Sequence, residues 1–367
     1  MEKFGFLIHA LDMRDVVRYE PKAAGKREVL VEKIFEWMPS HKESHITGIV
    51  STTGRQAEGW FVTVPFMPRQ FLALNKDFVM GKIIDACKIV EKLGGKIVGL
   101  GGFTSVVGDA GISVSKIINI AVTSGNSYTI ATAMEGAVEA ARQMGIPLET
   151  ANAAVVGASG SIGSVCAQLL AKKVKSLTLV ARNLPRLKKL AELIQSHSGT
   201  KVEVCTDVSL GVRNADIIIT ATSSTGGIIK ASDLKPGAVV CDVALPHDVC
   251  RDVATLRPDV LVIEGGLVEV PGDVNFNFDF GYPPKVALAC MSETMILAIE
   301  GRFENFSLGR GIKIEQVEEI SRLANIHGFK LAGFRSFDSM VTPEQIHEIR
   351  TLARKRQKGF KVFTGGV

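Results

Sequence analysis

With 367 residues, 46% of them hydrophobic and 22% charged, the chain has enough apolar surface to build a packed core, which excludes wholesale disorder. The length exceeds the usual span of one domain, so we expect two domains of ordinary size. The formal net charge of +5 is mild, and we expect no nucleic-acid partner.

The amino-terminal residues contain neither an extended apolar core nor a small-residue cleavage site, so they do not predict a signal peptide. No run of 18 residues lacks a charge or a turn signal, so no transmembrane helix is predicted and a cytoplasmic location is expected. The six cysteines lack the paired spacing of a zinc site or a disulfide framework, and we expect no metal site. Peripheral membrane contact and a homo-oligomer are left open.

Residues 1–150 are predicted to form an α/β substrate domain, because apolar runs alternate there with amphipathic segments. Its expected elements are strand-like runs within residues 46–64, one long amphipathic helix over 68–93, strands that enter loops at 96–105 and 120–126, and a helix over 127–144. The two loops could face one cleft.

Residues 151–282 are predicted to form a dinucleotide-binding domain of the Rossmann type. An apolar strand over 153–156 is followed by a glycine loop and then by a helical pattern, which is the order that this fold requires. The loop and helix start comprise Gly157, Ala158, Ser159, Gly160, Ser161, Ile162 and Gly163. Glycines let the backbone approach a pyrophosphate, whose charge is met by amides at the helix start. The spacing is GxxGxxG, whereas the best-known form is GxGxxG, which makes the glycine motif by itself less specific. The strand before it and the helix after it restore the specificity of the assignment.

Arg182 follows the next predicted strand, at the position where an acidic residue would bind the ribose hydroxyl of NAD. A guanidinium binds phosphate, so we expect Arg182 to contact the extra phosphate of NADP, with Asn183 and Arg186 as helpers. The alternative is that Arg182 is an ordinary surface arginine. The expected cofactor is NADPH.

Four further strands complete a doubly wound parallel sheet of the α/β class. They are predicted within residues 201–205, 215–222, 237–243 and 260–264. Loops at the carboxyl ends of such strands line the ligand crevice. This rule nominates the loop 222–226, with Thr222 and Ser223, and the pair Gly265 and Gly266 as neighbours of the nicotinamide.

Residues 283–367 are predicted to form a carboxy-terminal helical segment that packs across the cleft. Two prolines are expected to open a helix that places Cys290 about two turns inside it, too far from the helix start for the dipole to activate the thiol. Periodicity alone therefore favours a packed cysteine over a nucleophile. Further on, the basic run 354–358 indicates either a solvated helix face or a dock for an acidic partner.

Several motifs, taken together and in this order, resemble the family of cyanobacterial long-chain acyl-[acyl-carrier-protein] reductases over most of residues 1–335. They are GGFTS at 101–105, TSGN at 123–126, VVGASGSIG at 155–163, VARN at 180–183, the helix that carries Cys290, FENFSLGR at 303–310 and HGF at 327–329. The resemblance implies a shikimate dehydrogenase-like fold with the reacting group in the cleft between domains. It also implies that Cys290 attacks an acyl thioester of acyl carrier protein or coenzyme A, and that NADPH reduces the acyl-enzyme to a fatty aldehyde. Residues from about 336 onward form an extension beyond this resemblance.

Such chemistry needs donors for a developing oxyanion, and we expect Thr104, Ser105 and Asn126 to serve, with a turn-forming role equally open for each. Acid or base candidates are Asp109, His247 and Glu293, for each of which a structural role is favoured on pattern alone. One alternative function is a shikimate-type or amino-acid-type dehydrogenase without a nucleophilic thiol, in which Lys76 with Asp77 or Asp109 would act. Another is a noncatalytic NADP-binding regulator.

Overall fold

The computed structural model describes residues 1–107, 109–224 and 226–364, with side chains up to Gln357. The strands are β1 Glu2–Ile8, β2 His41–Val50, β3 Gln56–Thr63, β4 Ile97–Leu100, β5 Ala121–Thr123, β6 Asn152–Val156, β7 Ser176–Val180, β8 Lys201–Cys205, β9 Ile217–Thr220, β10 Val239–Asp242, β11 Leu261–Glu264, β12 Leu267–Glu269, β13 Gly272–Asn275, β14 Val286–Leu288, β15 Lys330–Leu331, β16 Phe334–Ser336 and β17 Ser339–Val341. The α-helices are α1 Met13–Tyr19, α2 Glu28–Trp37, α3 Pro68–Ala73, α4 Lys76–Lys92, α5 Phe103–Val106, α6 Ile112–Ser115, α7 Asn126–Met144, α8 Ser161–Ala171, α9 Leu184–Ser198, α10 Val208–Val212, α11 Val253–Leu256, α12 Ala289–Glu300, α13 Ile314–His327 and α14 Pro343–Thr364. Short 3-10 turns occur at Pro21–Ala23, Leu148–Thr150 and Ala231–Asp233.

The chain divides into two compact units whose limits differ from the predicted segments. The first unit joins Met1–Thr129 with Val268–Ala332, and the second joins Ile130–Leu267 with the residues from Gly333 onward. The division therefore falls inside α7 rather than near residue 150. The predicted third segment is shared between the units, because α12 lies against β1 and β4 of the first one.

The first unit is built on a six-stranded sheet with the order β13-β2-β3-β1-β4-β5. Strands β3, β1, β4 and β5 run parallel, while β2 is antiparallel to both β3 and β13. A Cβ on Gly5 would meet Val90 of α4, whereas one on Gly99 would meet Thr294 of α12. Because Gly99 pairs with Phe6, the neighbour of Gly5, the two glycines face opposite sides. Helices α4 and α12 thus cover the two faces of this sheet.

The single helix predicted over residues 68–93 is wrong, since the structure has two helices there. Helix α3 ends at Ala73, and α4 begins at Lys76. Between them, the side chain of Asn75 accepts hydrogen bonds from the backbone amides of Asp77 and Phe78. An asparagine in this role caps a new helix, so it interrupts an amphipathic pattern that is otherwise continuous.

The second unit contains a parallel sheet with the order β11-β10-β9-β6-β7-β8. Counted from β6, this is the strand order 3-2-1-4-5-6 of the doubly wound fold. The predicted fold class, α/β with a Rossmann-type parallel sheet, is confirmed. The apolar runs of β9, β10 and β11 are buried, as expected for parallel strands that are covered on both faces.

The prolines before Cys290 do not open a helix, so that part of the prediction is wrong. Lys285 has a φ of 65°, which no right-handed helix accommodates. The chain then forms β14, which pairs with β12, and α12 begins only at Ala289. Cys290 is consequently the second residue of its helix.

The carboxy-terminal extension forms the β16–β17 hairpin and the predicted basic helix, α14. One residue of the basic run forms an ion pair within the second unit, since Arg356 lies 2.5 Å from the buried carboxylate of Asp259. The side chain of Lys358 and residues 365–367 lie outside the described part of the chain. None of the described helices combines the length and the apolar character needed to cross a bilayer.

Candidate active site

In the first unit, the loops that the sequence singled out follow parallel strands β4 and β5, at one edge of the sheet. Thr104 and Ser105 lie in α5, just beyond β4. Their hydroxyls donate to the carbonyls of Gly101 at 2.7 Å and Gly102 at 2.8 Å, within their own turn. The protons that could stabilise an oxyanion are therefore used locally.

His9 follows β1 at the same edge and was not singled out from the sequence. Its ring is buried; Nε2 accepts from the amide of Phe103 at 3.0 Å, and Nδ1 lies 2.9 Å from the carbonyl of Ala10. Burial lowers the pKa of His9 to about 4, which keeps the imidazole neutral. This histidine holds the Gly102–Phe103 turn in place. Its position directly after a buried strand was the only sequence signal.

Cys290 lies against the loop that follows β5. A Cβ on Gly125 would stand 2.3 Å from Cβ of Cys290 and 2.4 Å from its Cα, so the two backbones approach too closely for any other residue. Asn126, the next residue, begins α7. The structure thus brings the predicted loop 123–126 and the predicted cysteine together.

The thiol of Cys290 is in an environment that opposes ionisation. Although the residue as a whole is partly exposed, burial of its sulfur raises the pKa of the thiol to about 12, and the charge of Glu293 adds to this effect. A backbone hydrogen bond from Met291 acts in the opposite direction. The position of Cys290 in the first turn of α12 also favours a thiolate, because the positive end of the helix dipole lies there.

Glu293 is fully buried one turn after Cys290 and binds the same loop. It accepts a hydrogen bond from the hydroxyl of Thr123 and, at 2.7 Å, one from the amide of Tyr128. Burial raises the pKa of this carboxyl. The carboxyl therefore ties the loop to α12, which is a positioning role.

The other predicted groups of the first unit are on its surface. Asp109 accepts from the amide of Ser113 at 2.8 Å and from its hydroxyl at 2.9 Å, so it stabilises a turn. Lys76 and Asp77 are exposed at the start of α4 and form no ion pair with each other.

In the second unit, the glycine loop has the close contacts that a dinucleotide site requires. Gly157 has a φ of 82°, and a Cβ there would stand 2.4 Å from the carbonyl oxygen of Ala221. A Cβ on Gly163 would stand 2.4 Å from the carbonyl oxygen of Gly157. The N-cap of α8 is Gly160, which offers no side-chain cap to the helix start. The residues Gly157 to Gly163 therefore fit a pyrophosphate at the amino end of α8.

Arg182 is exposed two residues beyond the end of β7 and makes no ion pair with the described residues. Arg186 is exposed in the first turn of α9. Asn183 is the N-cap of that helix, and its side chain accepts from the amide of Arg186 at 3.0 Å. Two guanidinium groups without an ion-pair partner among the described residues therefore lie at the carboxyl end of β7.

The loop after β9 is organised by Asp248, which sequence reasoning missed. This buried carboxyl accepts from the hydroxyls of Thr220 and Thr222 at 2.5 Å each and from the amide of Thr222 at 3.1 Å. The methyl of Thr222 lies beside Gly157. Ser223 is exposed nearby, whereas Thr225 lies outside the described residues.

A second polar cluster follows strands β10 and β11. Burial raises the pKa of Asp242 to about 7 and lowers that of His247, whose Nδ1 lies 3.6 Å from Asp242. Glu264 lies 4.0 Å from the other nitrogen of His247, and Gly265 and Gly266 come directly after it. No group of three or more potential ligands in the described residues is arranged to hold a metal ion.

Part of the chain matches a family model, and most of it is similar to known proteins. Residues 139–263 match the family model described as shikimate / quinate 5-dehydrogenase. Over 297 residues the chain is 30% identical to the long-chain acyl-[acyl-carrier-protein] reductase of Synechococcus elongatus, covering 77% of this chain and 85% of that protein.

A second relative is longer than this chain. Over 306 residues the chain is 32% identical to aminotransferase PigE of Serratia sp., covering 82% of this chain but only 36% of that protein. The chain thus spans about a third of that relative's length. Among solved structures, quinate dehydrogenase from Corynebacterium glutamicum in complex with NAD is 14% identical with a TM-score of 0.35, covering 70% of this chain and 86% of that one. A likeness at that level carries no functional argument.

Proposed function

Because the chain belongs to the family of the long-chain acyl-[acyl-carrier-protein] reductase, we propose that it reduces a long-chain acyl thioester to a fatty aldehyde with NADPH. The thioester would be carried by acyl carrier protein or coenzyme A. The observation that carries the proposal is the position of Cys290, at the start of α12 with the loop 123–126 packed against it. The second unit supplies an oxidoreductase-type NAD(P)-binding fold.

In the first step, the sulfur of Cys290 attacks the carbonyl carbon of the thioester. The new carbon–sulfur bond forms as the bond to the carrier's sulfur breaks, and the carrier leaves as a thiol that takes the proton Cys290 gives up. The step is an exchange of one thioester for another, so charge and protons balance. Since burial raises the pKa of Cys290 to about 12, the resting thiol is protonated at neutral pH and must give up its proton for the attack.

In the second step, the acyl group on Cys290 is reduced to the aldehyde level. When bound, NADPH would supply the hydride that the acyl carbon accepts. The resulting thiohemiacetal oxyanion collapses, its carbon–sulfur bond breaks, and Cys290 leaves as a thiolate that regains a proton from solvent. We assign stabilisation of the oxyanion to amides of the first turn of α12 and to Asn126. Thr104 and Ser105 would take part only after their hydroxyls release Gly101 and Gly102.

The residues present fit the cofactor. The glycine loop 157–163 leaves room for a pyrophosphate beside the start of α8. Gly265 and Gly266, which directly follow β11, would adjoin the nicotinamide. Arg182, with Arg186, would bind the extra phosphate of NADPH, while Asn183 fixes the start of α9 between them. Thr222 and Ser223 belong to the loop that Asp248 holds beside Gly157.

The test is aldehyde formation from NADPH and a long-chain acyl carrier protein, together with mass spectrometry of the acylated protein without NADPH. Cys290→Ala is expected to lose the adduct and to lower the rate by roughly 10³-fold or more. Cys250→Ala is the matched control, because Cys250 is also a partly exposed thiol and lies in the second unit. A Cys290→Ala enzyme as fast as the wild type would rule out the covalent mechanism.

Two observations favour a second candidate, an NADP-dependent dehydrogenase of the shikimate type without covalent catalysis. The matched family model covers residues 139–263, and a thiol with a pKa of about 12 is a poor nucleophile at rest. Lys76 and Asp77, the groups nominated for this reaction, are exposed and unpaired with each other. Turnover of a hydroxy acid or amino acid with NADP, and no adduct at Cys290, would support this candidate over the reductase.

A further inference from the structure

Helix α2 has apolar residues on two sides, one buried and one exposed. Val31 and Phe35 face inward and pack in a small cluster with Ala10, Val16 and Met67. Val29, Leu30 and Ile34 are about half exposed, and Trp37 is 87% exposed. These four side chains form what we call the α2 outer face. A helix that is apolar on both sides needs a second apolar environment, and the described chain supplies only one.

The orientation of the α2 outer face is fixed by hydrogen bonds from α3 and α4 to backbone carbonyls of α2 and its carboxy-terminal cap. The ammonium group of Lys82 donates to the carbonyls of Phe35 and Glu36 at 2.9 Å each and to that of Met38 at 2.5 Å. The side chain of Gln70 donates to the carbonyl of Glu32 at 2.8 Å. Helices α3 and α4 thus fix both the position and the rotation of α2, so the exposure of its outer face is a built feature.

An excess of positive charge lies next to this face. Lys22, Lys26 and Arg27 lie before α2, are exposed, and form no ion pair with the described residues, whereas Glu20 and Glu28 are the exposed acidic residues of the same stretch. Lys33, within the helix, is paired with Glu36 at 3.0 Å. Cations beside an apolar face that ends in tryptophan are the combination that binds the interface of an anionic membrane.

We propose that the α2 outer face docks on an anionic lipid surface, with Lys22, Lys26 and Arg27 contacting the headgroups. The size of the face argues for lipid over protein. Ten helical residues span about 15 Å and a helix is about 10 Å wide, so the α2 outer face covers roughly 150 Å². A stable protein interface buries ~800 Å² on each partner, so this face is too small to form one by itself. Trp37 places an apolar ring with a polar edge at the end of the helix, as interfacial tryptophans do. This inference does not depend on the reaction at Cys290.

The protein carries its own reporter for the test, because its two tryptophans lie in opposite environments. Trp37 is exposed and Trp60 is buried, so a blue shift of emission reports a change at Trp37. The full chain is titrated with vesicles of phosphatidylcholine and with mixed vesicles that also contain phosphatidylglycerol. We expect a blue shift and cosedimentation with the mixed vesicles only. Equal binding to both kinds of vesicle, or to neither, would overturn the proposal.

Two sets of variants identify the contacts. Leu30→Ser with Ile34→Ser keeps the reporter and should weaken binding at least about tenfold, whereas Leu256→Ser, an exposed leucine of the second unit, should leave it unchanged. Replacing Lys22, Lys26 and Arg27 by Gln should weaken binding about 100-fold. A blue shift that grows with protein concentration in the absence of vesicles would show that the α2 outer face binds a second copy instead, and would also refute the proposal.

Discussion

Replacing Gly125 by alanine tests the contact on which the candidate active site depends. Gly125 has a φ of 74°, in the left-handed region, and its Cα faces the backbone of Cys290. An added methyl group would stand 2.3 Å from Cβ of Cys290, so either the loop or the start of α12 must move. Gly125→Ala is therefore expected to disturb the environment of the thiol as well as the stability of the first unit.

The expected cost has two parts that can be separated. Placing an alanine in the left-handed region costs about 1–2 kcal/mol, and forcing a methyl group into a packed site costs about 1–3 kcal/mol more. Gly54→Ala is the matched control, because Gly54 has a φ of 83° and nothing within 4 Å of its added Cβ. The free energy of unfolding should thus fall by about 2–5 kcal/mol for Gly125→Ala and by about 1–2 kcal/mol for Gly54→Ala.

Denaturant unfolding of both variants measures this difference, and alkylation of Cys290 by iodoacetamide, followed by peptide mass spectrometry, reports the thiol. Only Gly125→Ala should change the alkylation rate. If both variants lose the same stability and alkylate like the wild type, Gly125 does not pack on Cys290 as described, and the assignment of the loop 123–126 to the site loses its support.

Four further results follow from the geometry. Arg182→Asp should weaken NADPH about 100-fold in a calorimetric titration and leave NADH nearly unchanged; equal losses would contradict the phosphate contact. Asp248→Asn should lower the free energy of unfolding by about 2 kcal/mol and weaken NADPH binding, because it disrupts the bonds that hold Thr222; wild-type values for both would contradict this. Since burial raises the pKa of Cys290 to about 12, its alkylation rate should rise about tenfold per pH unit between about 7 and 10, and a plateau near pH 8 would show an ionised thiol. Burial raises the pKa of Asp242 from 3.8 to about 7, so between these two pH values the folded chain keeps a proton that the unfolded chain has lost. The free energy of unfolding should therefore fall, on the order of 4 kcal/mol, as pH rises from 3.8 to about 7. Urea unfolding across this pH range measures the slope, and Asp242→Asn should remove it.

Much of the second unit could be predicted because its signals are contiguous in the chain. The strand, glycine loop and helix around Gly157 occur within about twenty residues, and Arg182 follows the next strand at the expected distance. Each feature depends on local backbone conformation and on alternation of apolar residues. Such features are encoded by neighbours in sequence, so the fold class and the strand, glycine loop and helix could be predicted before the structure was known, while the cofactor contact of the loop stays a prediction.

The candidate active site depended on contacts that no local pattern contains. The helix of Cys290 begins at Ala289 because of the positive φ of Lys285 and the pairing of β14 with β12, while the two prolines suggested an earlier start. Glu293 accepts a hydrogen bond from Thr123, which is 170 residues away in the sequence, and His9 accepts one from Phe103, which is 94 residues away. Buried polar side chains must find partners wherever the fold supplies them, so the resemblance could nominate Cys290, whereas only tertiary packing decided which groups surround it.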